Sequence, residues 1–266
     1  MSTRLADATI ATVGAGIMGG LLVERLIEAG GVKPGKVIAC DPDEGRLEEL
    51  AGLLGVEVHT DNAAAAGADV ILLAVPPPAV VPVLEEIAKQ LEDRPLIVSV
   101  APGISIERMQ QVAGAAQVAR VMPNTPSLVG AGVNAWCIAD DVDDEAEALL
   151  REMLDVWGES LEVPESCMNA ACALLAVGPT YLFPVIDTLI SEAEDAGMAT
   201  EMARRAAAGL FAGVGDLVAQ TEATAEELKQ MISMQPLDDE AAAAVFREAY
   251  QKALAGLRGL ESKLSS

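Results

Sequence analysis

Residues Thr9 to Gly19, T-I-A-T-V-G-A-G-I-M-G, constrain this chain more than any other stretch. An apolar run leads into Gly14, Gly16 and Gly19 in G-x-G-x-x-G spacing. The run reads as a β-strand ending in a glycine turn, and Ile17 to Glu28 as the helix that the turn opens. In such a turn the first glycine allows the tight bend, the second lets a pyrophosphate approach the backbone, and the third lets helix and strand pack closely. Ile17 and Met18 begin the helix, whose unsatisfied N–H groups and partial positive charge suit phosphate. A second strand, Lys36 to Ala39, leads through Cys40 to Asp41, an acid placed to accept hydrogen bonds from adenine ribose hydroxyls. Strand, glycines, helix, second strand and acid together predict a dinucleotide site. An acid at Asp41 would repel a 2′-phosphate, and the one base close by is Arg46. The expected cofactor is therefore NAD(H) or NADP(H), with NADH slightly favoured.

The 266 residues suffice for two ordinary domains. A formal net charge of −24, from 41 acids against 17 bases, excludes a nucleic-acid partner, because no basic stripe can neutralise phosphates. It also argues against an anionic membrane surface. The cysteines Cys40, Cys137, Cys167 and Cys172 form no C-x-x-C pair, and with His59 as the one histidine no metal ligand set is expected. Buried thiols in a reducing cytoplasm are the simplest reading. No charged segment followed by an apolar signal core opens the chain. Met168 to Ile186 is uncharged and long enough to cross a bilayer. Its acidic flanks, Gly178-Pro179 and Pro184 point instead to a helix in a protein core or subunit interface.

Strand and helix patterns alternate through the first part. Strands are expected at Val56–His59, Asp69–Val75, Leu96–Val100, Val118–Met122 and Gly132–Ala139, with helices from Pro76 to Leu91, Ser105 to Gly114 and Asp143 to Trp157; Gly158 to Val163 closes this half. This predicts an α/β fold, a doubly wound, mostly parallel Rossmann-like sheet over residues 1–163. Its ligand should sit where strands end: at the glycine turn, Asp41, Ala74-Val75-Pro76, Ala101 and Met122-Pro123-Asn124. From Pro164 strand signals vanish. Residues 164–266 predict an all-α domain with helices over Glu165–Ala196, Glu201–Thr221 and about Asp238–Leu264. So much apolar surface on few helices points to a homodimer sharing a helical core, with a higher oligomer of dimers a further possibility.

The segment Arg120-Val121-Met122-Pro123-Asn124-Thr125-Pro126 closely resembles the M-P-N-T-P loop of pyrroline-5-carboxylate reductases. The G-x-G-x-M-G turn, Asn62 near the expected adenosine ribose, the strand Ile71–Val75 and Gly178-Pro179-Thr180-Tyr181 extend the resemblance over nearly the whole chain. It implies NAD(P)H-dependent reduction of a cyclic imine, 1-pyrroline-5-carboxylate to L-proline, and a C-terminal dimerisation domain. Asn62, Ala74, Val75, Pro76 and Ala101 then join the glycines and Asp41 as cofactor contacts. Met122, Pro123, Val177 and Gly178 line the substrate, and Asn124 and Thr125 orient the reacting groups. A protonated imine is already electrophilic, so positioning can supply much of the rate and no catalytic His or Lys is required.

The departures from the family pattern fall on the substrate side. Val75-Pro76-Pro77 replaces V-K-P, Leu175-Ala176-Val177-Gly178-Pro179 replaces S-G-S-G-P, and Ser233–Asp239 replaces a glycine- and threonine-rich loop, setting Asp239 where a threonine would face the imine nitrogen. Serine hydroxyls and glycine N–H groups suit a carboxylate, and valine and leucine do not. Asp239 could stabilise an iminium or could simply start a helix beside Asp238. The competing readings are a paralogue acting on another imine or carbonyl, and a non-catalytic NAD(H)-binding sensor or partner protein. A β-hydroxyacid dehydrogenase is weaker, because Lys229, Lys252 and Lys263 all lie outside the long helix where its catalytic lysine belongs.

Overall fold

The computed structural model describes residues 3–91, 94–114 and 116–264. The chain divides into two compact units, one running up to Val177 and including the residues from Ala253 on, the other Gly178–Lys252.

In the first unit a short helix α1 (Arg4–Asp7) precedes β1 (Ile10–Val13), α2 (Ile17–Glu28), β2 (Val37–Cys40), α3 (Glu44–Leu54), β3 (Glu57–His59) and β4 (Val70–Leu73). Then come α4 (Pro77–Ile87), β5 (Leu96–Ser99), α5 (Ile106–Ala113), β6 (Gln117–Met122), β7 (Gly132–Ile138), α6 (Asp144–Trp157) and β8 (Gly158–Glu162). One sheet holds all eight strands in the order β3-β2-β1-β4-β5-β6-β7-β8. All neighbours are parallel except β6 and β7. The exception follows from chain length. A short loop joins β6 to β7 and forces a reversal, whereas α6 supplies the crossover that keeps β7 and β8 parallel. The expected doubly wound sheet is thus present, its strands β1 to β7 lying within a residue or two of the sequence-predicted bounds.

The central strands β1, β4 and β5 bury both faces, which is why they read as continuous apolar runs. Ala11, Val13, Ile71, Leu73 and Ile97 face one core; Ile10, Val70, Leu72, Leu96 and Val98 face the other, as the two-residue period requires. Helix α3 has clear local causes that the sequence reading passed over. Asp43 caps its start by accepting from the Gly45 and Arg46 N–H groups, and Gly55, at φ 69°, closes it in the left-handed region.

The expected single helix over Glu165–Ala196 is a correction. The chain instead makes α7 (Met168–Ala171), a π-helical turn over Cys172–Ala176, and α8 (Pro179–Asp195). Pro179 brings no N–H to bond back and crowds the preceding turn, so the helix restarts at Gly178-Pro179. The second unit contains α8, α9 (Thr200–Gln220), α10 (Ala225–Lys229) and the start of α11 (Asp239–Leu264). Helix α9 packs on α8. Its buried residues are Ala203 and Ala207, and the same four-three spacing continues into exposed Leu210, Val214 and Leu217. The Glu165–Asp195 segment is apolar and long enough to cross a membrane, yet its most apolar window is only 11% buried within the chain.

The end of α11 belongs to the sheet unit. Leu257 and Leu264 pack against the core around Ile104 and Ile106, and the Asn169 side-chain amide donates to Glu261 at 2.6 Å.

Candidate cofactor and substrate site

The strand order reverses direction between β1 and β4, and ligands of such sheets bind outside the strand ends at that crevice. Gly14 leaves β1 there at φ 101°, and a Cβ on it would stand 2.6 Å from the Ala74 carbonyl oxygen. A Cβ on Gly19 would stand 2.0 Å from the Gly14 carbonyl oxygen, so α2 lies against the turn only because position 19 has no side chain. Gly16 differs: the one protein atom near its missing Cβ is Arg46 Nη1, at 3.9 Å. This glycine faces open space. It is also the N-cap of α2 and offers the helix no side-chain cap, leaving the first-turn N–H groups to a ligand. Ile17 beside it is 84% exposed. An uncapped helix start next to an open glycine is the cradle that a pyrophosphate requires.

Asp41 has a further role that its spacing did not reveal. It is 6% exposed, and its two oxygens accept from the Ala15 N–H at 2.8 Å and the Asp43 N–H at 2.9 Å. The carboxylate thus ties β2 to the glycine turn, and its remaining lone pairs are what it could offer a ribose. Asn62 follows β3 and donates to Glu86 at 2.8 Å. Ala74 donates its N–H to the Val13 carbonyl, Pro76 caps α4, and buried Ala101 follows β5. All these cofactor candidates except Met18, in the first turn of α2, stand at strand ends or helix starts along one edge of the sheet. His59 pairs with Glu57 on the edge strand β3, away from the M-P-N-T-P loop in strand order.

That loop follows β6. Met122, Pro123 and Asn124 are buried, whereas Thr125 is exposed. Asn124 Oδ1 accepts from the Val133 N–H at 3.1 Å, binding the loop to β7, and its side-chain amide nitrogen makes no hydrogen bond among the described residues. Behind the loop, buried Ser127 donates to Asn134 at 3.1 Å, and Asn134 donates to the Glu159 carbonyl at 3.1 Å. This polar chain was missed. Its signal was Asn134 standing inside the apolar run of β7. Buried Arg120 on β6 pairs with Glu165 at 2.8 Å, and the same Glu165 oxygen accepts the Ile106 N–H at 2.7 Å. The loop's strand is therefore anchored from below.

The remaining substrate candidates, Val177 and Gly178, fall where the chain passes from one unit to the other. Val177 closes the π-helical turn in the sheet unit, with Leu175 and Ala176 before it packed on the core, and Gly178 opens α8 in the helical unit. In that unit Asp239 pairs with Lys229, and Asp238 caps α11 by accepting the Ala241 N–H. A role toward an iminium would require Asp239 to exchange Lys229 for it. A separate cavity of about 570 Å³, lined by Asp69, Leu96 and Gln117 among others, lies at the opposite, N-terminal ends of β4, β5 and β6.

Burial raises the Cys40 thiol from an ordinary 9.0 to about 11, with the Asp61 charge adding to it. Burial likewise raises Cys137 to about 11. Both are inert thiols at neutral pH.

Known proteins resemble the chain over most of its length. The family profile described as NADP oxidoreductase, coenzyme F420-dependent, matches residues 9–103, and that for pyrroline-5-carboxylate reductase dimerisation matches residues 165–256. The pyrroline-5-carboxylate reductase of Corynebacterium melassecola is 36% identical over 230 residues, 85% of each chain. The Coxiella burnetii pyrroline-5-carboxylate reductase superposes with a TM-score of 0.76 at 28% identity, covering 97% of this chain and 99% of the other. A Plasmodium falciparum pyrroline carboxylate reductase with NADP bound shares the fold, with a TM-score of 0.84 at 21% identity over 96% of this chain and 99% of the other.

Proposed function

The chain belongs to the pyrroline-5-carboxylate reductase family, and on that premise we propose that it transfers hydride from NADH or NADPH to the C=N bond of a cyclic imine, with 1-pyrroline-5-carboxylate, reduced to L-proline, as the default substrate. One observation supports this reading: the glycine turn after β1 and the M-P-N-T-P loop after β6 lie along one edge of the sheet, at the ends of strands ordered β1, β4, β5, β6. Three strand spacings separate them, roughly 14 Å, a span suited to an extended dinucleotide. The α2 N-terminus with Gly14, Gly16 and Gly19 would hold the pyrophosphate, and Ala74 to Pro76 and Ala101 would line the path to the loop. When bound, the nicotinamide supplies the hydride.

The residues of this chain then have a positioning task. Asn124, fixed through Oδ1, presents an amide N–H at a defined point, and the exposed Thr125 hydroxyl stands next to it in the chain. Buried Met122 and Pro123 give a firm apolar wall. Neutral groups suffice because the imine arrives protonated and electrophilic, so orientation carries much of the rate. We also propose a homodimer through the C-terminal helices, supported by the exposed α9 stripe and the match to the dimerisation profile.

A second reading keeps the cofactor half and changes the substrate. Leu175 and Val177 stand where the family has hydroxyls; neither side chain can donate to a carboxylate, and Leu175 packs against the core. An imine without a carboxylate fits such a wall. The deciding experiment is cofactor consumption by the purified protein with 1-pyrroline-5-carboxylate, its six-membered homologue and unsubstituted 1-pyrroline in parallel. Turnover of the carboxylates establishes the family reaction. Turnover of 1-pyrroline alone establishes the altered substrate. Dinucleotide binding with no turnover on any of the three refutes both and leaves a binding protein.

A further inference from the structure

The glycine turn leaves one direction open, and one cation faces it. Outside the turn and its own helix, Arg46 Nη1 is the protein atom that comes nearest to the missing Cβ of Gly16, at 3.9 Å. Its placement is built rather than incidental. Asp43 is fixed as the cap of α3, its Oδ1 taking the Gly45 and Arg46 N–H groups at 3.0 and 3.3 Å. The other Asp43 oxygen pairs with Arg46 Nε at 3.5 Å. The carboxylate therefore grips the stem side of the guanidinium and leaves Nη1 directed to the turn.

The charge balance gives this geometry a purpose. A pyrophosphate brings two negative charges. The α2 N-terminus answers with about half a positive charge. Asp41, Asp43 and Glu44 add negative charge nearby, in a protein whose net charge is −24. Between Gly14 and Gly20 and between Asp41 and Arg46, the one basic residue is Arg46 itself. We propose that Arg46 is a phosphate-binding residue of the cofactor site, closing over the dinucleotide from the α3 side, with Asp43 as its positioning residue. The proposal rests on the dinucleotide reading of the glycine turn and is independent of which imine is reduced.

Calorimetric titration of the full-length protein with NADH and with NADPH tests it without any turnover. Arg46→Gln is expected to weaken both dinucleotides by about tenfold, as loss of a charge-assisted contact to the shared pyrophosphate requires. Arg46→Lys should recover part of the loss, and the melting midpoint without cofactor should not move, because the side chain is exposed. A loss confined to NADPH would assign the guanidinium to the 2′-phosphate and still support phosphate binding. Unchanged affinity for both in Arg46→Gln overturns the proposal while leaving the cofactor site intact. A wild-type protein that binds neither dinucleotide overturns the cofactor reading, and the proposal with it.

Discussion

Strands β1, β4, β5 and β6 are buried along their whole length, whereas in Gly178–Lys252 the buried residues are Gly178, Ala203 and Ala207. The sheet unit finds its apolar partners within its own chain, in helices that its own crossovers lay on both faces. The helical unit has comparable apolar content but too few helices to enclose it, so Phe183, Leu210, Val214, Leu217 and Phe246 remain exposed. An exposed apolar surface of this extent marks an interface. The difference teaches that one half of the molecule carries its glycine turn on a finished scaffold, while the other half is completed by association.

The sharpest way to break this comparison is to charge the α9 stripe. Leu210→Asp combined with Val214→Asp should weaken self-association by more than about a thousandfold, since two carboxylates would be buried without partners. Sedimentation should then show a monomer at micromolar concentration with dinucleotide binding preserved. A dimer of unchanged affinity would place the interface elsewhere.

Next in size is Gly19→Ala, aimed at the finished half. A methyl group 2.0 Å from the Gly14 oxygen must push α2 off the turn. Dinucleotide affinity should fall about a hundredfold, with a stability loss of about 2–3 kcal/mol seen by denaturant unfolding. Wild-type binding in this variant would show that the turn is not the cofactor cradle.

A smaller effect is expected at Gly103, where φ is 78° and an added Cβ would meet Leu260 at 3.0 Å. Gly103→Ala should cost about 1–2 kcal/mol, part strain and part displacement of the α11 end. Pairing it with Leu260→Ala should make the two costs less than additive. Full additivity would mean that α11 does not rest on that loop.

The smallest effect concerns the thiols. At pH 8 the exposed Cys167 should react with an alkylating reagent while Cys40, Cys137 and Cys172 resist it in the folded protein. Cys40 and Cys137 titrate near 11 when folded against 9.0 when unfolded, so the folded state holds their protons longer. Their contribution to stability is complete below pH 9 and is lost as pH rises from 9 through 11. Rapid labelling of all four cysteines at pH 8 would contradict that burial.

Much of the sheet unit was legible because its signals are local. The glycine spacing, the apolar strands and the M-P-N-T-P segment each lie within a few consecutive residues, and the backbone requirements they answer are equally short-ranged. Breaks in the long apolar segment were less legible. Gly178-Pro179 was visible, but hydropathy does not distinguish a continuous helix from one that restarts. The polar contacts that hold the site were not legible at all. Asp41 reads as a ribose acceptor by spacing, yet its oxygens are engaged by Ala15 and Asp43. Ser127, Asn134 and Glu159 form a chain across segments that the sequence keeps well apart.

Fold class, a nicotinamide cofactor and the family were thus legible in the residue pattern, since periodicity and turn chemistry act between near neighbours. The direction of the Asp41 carboxylate, the approach of Arg46 to Gly16 and the return of the α11 end to the sheet unit were decided by tertiary packing. Each of these brings together groups from separate elements, and only the packed strands and helices hold those groups within bonding distance.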